Sequence, residues 1–237
     1  EATFHDLIEH VALLSAGAPI LLLCLARPDL VERRPTWPVA MRLDPLTDDE
    51  VAPLLPEALP ADLRQRISRT AGGNPLFIEE MLAMARESDG EVVVPPTLHA
   101  LLAARLDQLD AGERSVLERG AIEGEVFHRG AVQVLADDEV PVTPRLAKLV
   151  RQALIRPHQP VFAGEDGFRF RHLMIRDAAY EALPKAVRAD LHERFASWLE
   201  AHGVELIELH ELLAYHHEHA CLYRTDLGQP ADPKVAL

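Results

Sequence analysis

An arginine follows the most apolar run of the chain, at the position where a buried strand would end. The run Pro19–Ala26 reads Pro-Ile-Leu-Leu-Leu-Cys-Leu-Ala, and Arg27 comes directly after it. A guanidinium stays charged and can bind two phosphate oxygens at once, and open α/β sheets hold their ligands at the ends of strands. Arg27 is therefore a candidate phosphate ligand, although a surface arginine that caps a strand explains the same pattern.

Gly73, Asn74 and Pro75 form a second candidate site. A glycine allows a close approach of another group, an asparagine side chain can cap a helix, and proline suits the first helical position. These residues predict a sharp turn that opens a helix from Leu76 to about Arg86. An ordinary helix start explains Asn74 and Pro75 without any ligand.

Histidines are concentrated near the C-terminus, where His216 and His219 lie about one helical turn apart. Imidazoles at this spacing can share a zinc ion. Further donors lie nearby: His210, Glu211, His217 and Glu218. An exposed or packed helix face explains the same residues, and we expect no metal site here.

The sequence carries none of the loops that supply catalytic groups in common enzyme classes. It contains no Gly-x-x-x-x-Gly-Lys-Ser/Thr loop, whose backbone amides and lysine hold nucleotide phosphates, and no Gly-x-Ser-x-Gly elbow. No carboxylate pair lies in a recognisable catalytic frame. We therefore expect no catalytic residues, and an enzyme with its own active site is the least favoured interpretation.

Residues 1–46 have the pattern of α/β structure. Apolar residues from Phe4 to Leu14 recur at helical spacing, and Gly17 ends the predicted helix. The run Pro19–Ala26 has the continuous apolar character of a buried parallel strand, in which Cys24 would be a small core side chain. A second short strand is predicted at Val39–Leu43.

Short helices are predicted from Thr47 onward. Thr47 and Glu50 form a capping box, and Leu63 and Ile67 lie one turn apart before the glycines that precede Asn74. The stretch Glu87–Glu91 is a polar linker candidate.

The pattern between residues 95 and 184 predicts helices that end in a hairpin, which is the order of a winged helix. Asp110 with Glu113 caps one helix, Thr143–Pro144 begins another, and the alternation in Phe168–Arg171 predicts a strand. DNA binding is an alternative function, because basic residues lie on the third helix: Arg145, Lys148 and Arg151.

An amphipathic stripe after Pro184 predicts a pair of antiparallel helices. The stripe runs from Val187 to Leu199, Gly203 breaks it, and helix resumes from Leu206 to about Tyr223. One such pair is at most the first unit of a helical repeat array, and such arrays need about three repeats to be stable.

Composition limits the function further. Of 237 residues, 48% are hydrophobic and 5% aromatic, and the net charge is −14, which favours packed helices and opposes general nucleic-acid binding. Cys24 and Cys221 make no disulfide framework and fit a reducing cytosol. The longest apolar run is far shorter than the roughly 20 residues of a membrane span, so we expect a cytoplasmic protein without membrane contact.

Five ordered blocks resemble one family: Leu22–Asp29, Leu43–Glu50, Gly72–Glu80, Phe168–Glu181 and Ala214–Ala220. They are similar to bacterial STAND-type ATPases of the AAA+ kind, found in LuxR-family regulators and behind adenylate or guanylate cyclase domains. The resemblance implies a mainly α fold in four parts. These are the end of a P-loop NTPase core with partial α/β structure (1–46), a helical lid (47–90), a winged helix (91–184) and the first helices of a TPR-like array (185–237).

The resemblance also implies nucleotide-binding residues. Arg27 matches the sensor-1 arginine beside the terminal phosphate, and Gly73, Asn74 and Pro75 match the lid turn that packs against the adenine base. His172 matches the winged-helix histidine that senses the β-phosphate of ADP. The family's P-loop and Walker B acid precede the matched blocks, so we expect a piece of a longer protein that starts after Walker B.

The implied function is the sensing and transmitting part of an ATP-dependent signal-transduction switch. ATP or ADP with Mg would bind in the intact parent, and no cofactor is expected for these residues alone. The implied partners are adenine nucleotide and proteins that dock on the helical repeats, with neither DNA nor a membrane. The alternative is a DNA-binding winged-helix or helical protein-interaction module of a transcriptional regulator.

Overall fold

The computed structural model describes residues 2–15, 17–26, 30, 33–37, 41–87, 93–136, 141–204 and 206–229. The chain is mainly helical and carries a small antiparallel sheet, which confirms the predicted mainly α fold. It divides into two compact units, residues 1–44 and residues 45–237.

Helix α1 (Ala2–Leu14) opens the first unit, as its apolar spacing predicts. Two side chains from residues 33–37 bind its polar face. Arg34 donates a hydrogen bond to Asp6 Oδ1 at 2.6 Å, and Trp37 donates from Nε1 to Glu9 Oε1. Polar contacts therefore hold this segment on the helix.

The predicted strand at Pro19–Ala26 is wrong. Residues 20–26 have no regular secondary structure, and Cys24 is exposed rather than a core side chain. A parallel strand forms only where neighbouring strands take its backbone hydrogen bonds, and the described residues of this unit supply none. Large side chains of the run are therefore 44–89% exposed: Ile20, Leu21, Leu22, Leu23 and Leu25.

The second predicted strand, Val39–Leu43, lies partly outside the described residues. Its last three residues, 41–43, have no regular secondary structure, and Met41 and Leu43 are exposed. The partial α/β structure predicted for residues 1–46 is thus absent from the described part of that range.

The first helical segment (residues 45–87) contains three α-helices. Helix α2 (Asp48–Val51) starts at the predicted capping box, in which Glu50 Oε2 accepts a hydrogen bond from the Thr47 N–H at 2.9 Å. A 3-10 turn (Ala52–Leu54), α3 (Ala61–Ala71) and α4 (Pro75–Glu87) follow. Their apolar faces bury one core: Val51, Leu63, Ile67, Phe77, Ile78, Met81 and Met84, joined by Leu101 from the next helix.

The central segment (residues 93–183) combines helices with the three-stranded sheet. Its helices are α5 (Leu98–Asp107), α6 (Ala111–Glu123), α7 (Arg129–Leu135), α8 (Val142–Arg151) and α9 (Leu173–Ala182). Its strands are β1 (Val126–His128), β2 (Ile155–His158) and β3 (Gly167–Phe170), in the order β1-β3-β2.

The sheet is antiparallel throughout and contains the predicted hairpin. Val126 lies opposite Arg169, and Ile155 lies opposite Phe170. The predicted cap of α6 is present too, because Asp110 Oδ1 accepts from the Glu113 N–H at 2.9 Å. Phe170 is buried in the core that the helices of this segment build around the sheet.

The terminal helix pair consists of α10 (Lys185–His202) and α11 (Leu209–Asp226), separated near the predicted break at Gly203. The two helices are antiparallel, since Lys185 at the start of α10 pairs with Asp226 at the end of α11. Their apolar stripe packs against α6 and α7 of the central segment.

Among the helices in the described ranges, none is both long and apolar enough to cross a bilayer.

Candidate functional site

The turn before helix α4 is built as the sequence predicts. Gly72 ends α3 in the left-handed conformation with φ 53°. Asn74 Oδ1 accepts hydrogen bonds from the backbone N–H groups of Leu76 at 3.0 Å and Phe77 at 3.4 Å. Asn74 and Pro75 are both exposed. The cap is therefore complete without a ligand, and the outer side of the turn is accessible to one.

Gly73 has a structural reason of its own. Its φ is +75°, and a Cβ there would lie 2.4 Å from the carbonyl oxygen of Leu46 and 2.8 Å from the Cβ of Pro45. The Leu46 N–H donates a hydrogen bond to the Gly73 oxygen at 2.9 Å. The close approach predicted at Gly73 is thus made by the chain itself, and glycine is required here with or without a nucleotide.

A buried arginine joins α4 to α5. Arg105, only 1% exposed, donates from Nη1 to Glu80 Oε2. Its Nη2 donates to Glu87 Oε1 at 2.9 Å and to the carbonyl oxygen of Gln152 at 2.7 Å. Burial raises the pKa of Glu87, and the charge of Arg105 offsets part of that rise. Because Glu80 is also buried, its charge is compensated by Arg105 rather than by water.

His172 faces the same helix from the central segment. It is the residue before α9, and its Nε2 lies 3.5 Å from Glu79 Oε2 and 3.7 Å from Glu80 Oε1. This nitrogen is buried and has no hydrogen-bond partner among the described residues. Glu79 follows Pro75 by about one helical turn, or roughly 6 Å along the axis.

The structure therefore brings His172 to the first turns of the helix that Asn74 and Pro75 begin. Five residues link the first helical segment to the central segment here, and together they are called the ionic junction: Glu80, Glu87, Arg105, Gln152 and His172.

Arg27 lies outside the described residues, together with Pro28 and Asp29. Four of the five predicted nucleotide-binding residues are therefore placed: Gly73, Asn74, Pro75 and His172.

The basic side chains of α8 are paired with carboxylates. Arg145 binds Asp110, and Lys148 binds Glu113 and lies 3.5 Å from Asp110 Oδ2. The hydrogen bond to Glu113 raises the pKa of Lys148. Of the three basic residues that favour DNA binding, two are thus neutralised within the protein, and Arg151 is exposed.

The loop between β2 and β3 packs against the rest of the molecule. The ring of Phe162 contacts Trp198 of α10 edge-on at a centroid distance of 5.0 Å, and His128 at 4.6 Å. Glu165 accepts a hydrogen bond from the Gly130 N–H at 2.9 Å. The contacts that hold this loop include an acidic side chain, which cannot neutralise phosphate charge as a lysine or arginine does.

A second polar cluster lies where α9, α10 and α11 meet. The Tyr180 hydroxyl is 2.8 Å from His192 Nε2 and 2.8 Å from the Tyr223 hydroxyl. His192 Nδ1 is 2.7 Å from His216 Nδ1, and both imidazoles are buried. These four residues are called the imidazole joint.

The environment of the imidazole joint keeps His192, His216 and Tyr180 neutral. Burial lowers the pKa of His192 to about 3 and that of His216 to about 4, and positive neighbours add to both shifts. Burial also raises the pKa of Tyr180, and its hydrogen bond with Tyr223 contributes. At pH 7 the two imidazoles and the Tyr180 phenol are therefore uncharged.

Within the described ranges, no group of three or more His, Cys, Asp and Glu side chains is arranged to hold a metal ion. His216, part of the zinc alternative, instead shares a hydrogen bond with His192. His219 turns to the backbone, where its Nδ1 lies 2.9 Å from the Tyr215 carbonyl oxygen.

A groove of about 450 Å³ lies between α2 and α3, with Asp48, Arg64 and Ser68 among its lining residues. None of the lining residues belongs to the turn, the ionic junction or the imidazole joint. The groove therefore gives no support to the predicted nucleotide contacts.

Most residues of these clusters were not predicted from the sequence, and three of them share one feature: Glu80, Arg105 and His192. Each is a polar residue inside an otherwise apolar stripe, as Arg105 is between Leu102 and Leu106. Such an interruption indicates a buried polar group that needs a partner. It does not indicate which residue the partner is.

Comparison with known proteins leaves the family open. No protein-family model matches the chain. The chain is 27% identical over 223 residues to an uncharacterized protein of Rhizobium meliloti (strain 1021), in a match that covers 82% of this chain and 21% of that protein. The chain thus spans about a fifth of the length of the curated relative it matches. Because that relative is uncharacterized, the similarity assigns no function.

Proposed function

We propose that the chain is the sensing and transmitting part of an ATP-dependent signal-transduction switch. The observation that carries the proposal is the position of His172, whose buried Nε2 makes no hydrogen bond to the described residues. It faces helix α4 about one turn from the exposed Asn74–Pro75 turn. A nucleotide that contacted both would bridge the first helical segment and the central segment. Its binding would then change the interactions of both segments at once.

The order of the elements along the chain supports the assignment of a separate role to each part of such a switch. The first helical segment would be the lid, and the central segment, with its helices and three-stranded antiparallel sheet, would be the winged helix. Helices α10 and α11 would be the first pair of a TPR-like array. Residues 1–46 would complete the nucleotide-binding core, where Arg27 would lie beside the terminal phosphate.

His172 would transmit the nucleotide state by exchanging partners. Its Nε2 faces the carboxylates of Glu79 and Glu80 in this structure, and it would turn to a nucleotide phosphate in the other state. Asn74 and Pro75 would contact the base, and ATP or ADP with Mg would supply the charge that draws His172 away. A ligand shifts such an equilibrium only by its differential affinity for the two states, and a phosphate contact that His172 makes in only one of them would provide that difference.

The test is nucleotide binding by the native polypeptide that includes these residues, measured with fluorescent ADP and ATP analogues in the presence of Mg. Loss of a charge-assisted hydrogen bond costs about 1.5–3 kcal/mol, so His172→Ala is expected to weaken ADP binding by about tenfold to a hundredfold. Arg27→Ala is expected to weaken ATP binding more than ADP binding and to impair ATP-dependent activation.

His210→Ala is the control, because His210 is exposed on α11 and belongs to neither cluster. Wild-type affinity in the His172 and Arg27 variants would remove both residues from the switch. The 237 residues alone are expected to bind ATP weakly or not at all, since they contain no P-loop. A micromolar dissociation constant from calorimetry on this chain would contradict that expectation.

A helical protein-interaction module is the second candidate, favoured by exposed apolar residues on α11: Leu212, Tyr215 and Leu222. It becomes the better account if the native polypeptide binds no nucleotide. DNA binding is less favoured than protein interaction, because Arg145 and Lys148 are already paired with Asp110 and Glu113.

A further inference from the structure

The imidazole joint is a continuous chain of hydrogen bonds across three helices. It runs from Tyr223 on α11 to Tyr180 on α9, then to His192 on α10, and returns to α11 at His216. The last link joins two buried imidazoles through their Nδ1 atoms at 2.7 Å. Both ends of the chain are therefore on α11, and α11 is held on α9 and α10 through it.

The number of protons decides whether this chain can form. In one order, His192 donates from Nδ1 to His216, and its Nε2 accepts from Tyr180, which accepts from Tyr223. In the reverse order, every donor and acceptor is exchanged. Each order needs exactly one N–H on His192 and one on His216. If either imidazole gains a further proton, the bond between the Nδ1 atoms either is lost or contains a buried cation.

The surroundings oppose a cation at this place. Arg176 of α9 lies 4.7 Å from the centre of the Tyr180 ring, and Arg188 of α10 lies 4.7 Å from the same centre. Both guanidinium groups raise the cost of a positive charge on His192, and so do the histidines of α11 that face the pair. The groups of α11 near the two imidazoles are Tyr215, His217, His219 and Tyr223.

No carboxylate hydrogen-bonds to His192 or His216 among the described residues. Glu193, the residue after His192, forms an ion pair with Arg224, so its negative charge is already compensated by that guanidinium. An incoming proton on either imidazole therefore finds no counter-ion within the joint.

We propose that the imidazole joint is an acid-sensitive fastening, which holds α11 on α10 while His192 and His216 are both neutral and releases α11 when either is protonated. The released helix carries the exposed apolar residues Leu212, Tyr215 and Leu222, so acidification would rearrange that face. The inference is independent of nucleotide binding, and it stands or falls with the joint alone.

The pH window follows from proton linkage. An unfolded histidine has a pKa near 6.5, whereas the pKa is about 3 for His192 and about 4 for His216 in the folded chain. Between these values the unfolded or released state binds more protons than the folded state. The stabilisation is therefore complete above about pH 6.5 and is lost progressively as the pH falls from there.

The first experiment compares urea unfolding of the wild type and His216→Asn at pH 6 and pH 5. The asparagine amide can replace the Nδ1 hydrogen bond but cannot be protonated. The unfolding constant of the wild type is expected to rise about sevenfold more between these pH values than that of the variant. His210→Asn, on an exposed position of the same helix, should follow the wild type. An equal pH dependence in His216→Asn and the wild type overturns the proposal.

The second experiment needs no variant and reports on α11 itself. Protection factors from hydrogen exchange are expected to fall with pH in α11 while those in α6 are retained. Imidazole signals followed by NMR are expected to include two histidines that stay neutral until α11 loses protection. If all twelve histidines titrate near pH 6.5 while α11 remains protected, the fastening does not exist.

Discussion

The ionic junction and the imidazole joint solve the same problem with opposite chemistry. Each is a buried polar cluster that links helices from different parts of the chain. In the ionic junction, the charge of Arg105 is balanced by Glu80 and Glu87. In the imidazole joint, His192 and His216 are kept neutral and share a hydrogen bond. The first depends on paired charges, and the second depends on the absence of charge.

This difference predicts how each link is broken. A buried ion pair contributes little net stability over an apolar replacement, but removing one partner leaves an uncompensated charge. A neutral hydrogen-bonded chain loses less when one hydroxyl is removed, and it is sensitive to added protons. The ionic junction should therefore respond most strongly to mutation, and the imidazole joint to acid.

The largest expected effect is that of Arg105→Met, which leaves Glu80 buried without a counter-charge. We expect a loss of about 3–5 kcal/mol in the free energy of unfolding, measured by urea denaturation at neutral pH. The double variant Glu80→Met with Arg105→Met should recover most of this loss, because it removes both charges. If the single variant loses under about 1 kcal/mol, as an exposed pair does, the cluster is not a buried ionic link.

The residue pairs that form these two links could not be predicted from the sequence. Helix caps at Thr47, Asn74 and Asp110 were predicted, because a cap joins residues about three apart in the chain. Glu80 and Arg105 are 25 residues apart, and their pairing depends on how α4 and α5 pack. The apolar pattern predicts that such helices pack but not which polar side chains meet.

The error at Pro19–Ala26 has a related cause. A helix satisfies its own backbone hydrogen bonds, so the apolar spacing of α1 was enough to predict it. A strand needs neighbouring strands for its backbone hydrogen bonds. A hydrophobic run indicates that burial would be favourable, but not that such neighbours are present. For the hairpin, β2 and β3 are both present and close in the chain, and the prediction was correct.

A second prediction concerns the turn that starts α4, the helix that carries Glu80 and Glu87 of the ionic junction, and tests the contact of Gly73 with Leu46. Gly73→Ala would place a Cβ against the Leu46 backbone at a positive φ, and we expect a loss of about 2–4 kcal/mol in the free energy of unfolding. Gly72→Ala is the matched control, because it has a positive φ but open space around it, and about 1–2 kcal/mol is expected. Equal losses from thermal or urea unfolding would show that the contact with Leu46 is unimportant.

A third prediction concerns the imidazole joint at neutral pH. Tyr180→Phe removes the hydroxyl that lies between His192 and Tyr223, so the buried His192 Nε2 is left without its partner. We expect a loss of about 1–3 kcal/mol in the free energy of unfolding. This loss is smaller than for Arg105→Met, because the variant leaves a neutral nitrogen, and not a charged group, buried without a partner. Tyr215→Phe, at an exposed ring of α11, should stay within about 0.5 kcal/mol of the wild type. A larger loss in Tyr180→Phe than in Arg105→Met would reverse the comparison.

The smallest expected effect is that of removing an exposed ion pair between α10 and α11, the two helices that the imidazole joint also links. Lys185 of α10 and Asp226 of α11 pair at 2.6 Å, but their side chains are 53% and 51% exposed. Lys185→Ala should therefore cost only about 0.2–1 kcal/mol, and the difference should vanish in about 1 M salt, where the Debye length is about 3 Å. The cost of Arg105→Met should persist in the same salt, because buried pairs are screened much less. If Lys185→Ala costs as much as Tyr180→Phe, α11 is held by exposed charge rather than by its neutral hydrogen bonds, and acid would release it through Asp226 instead.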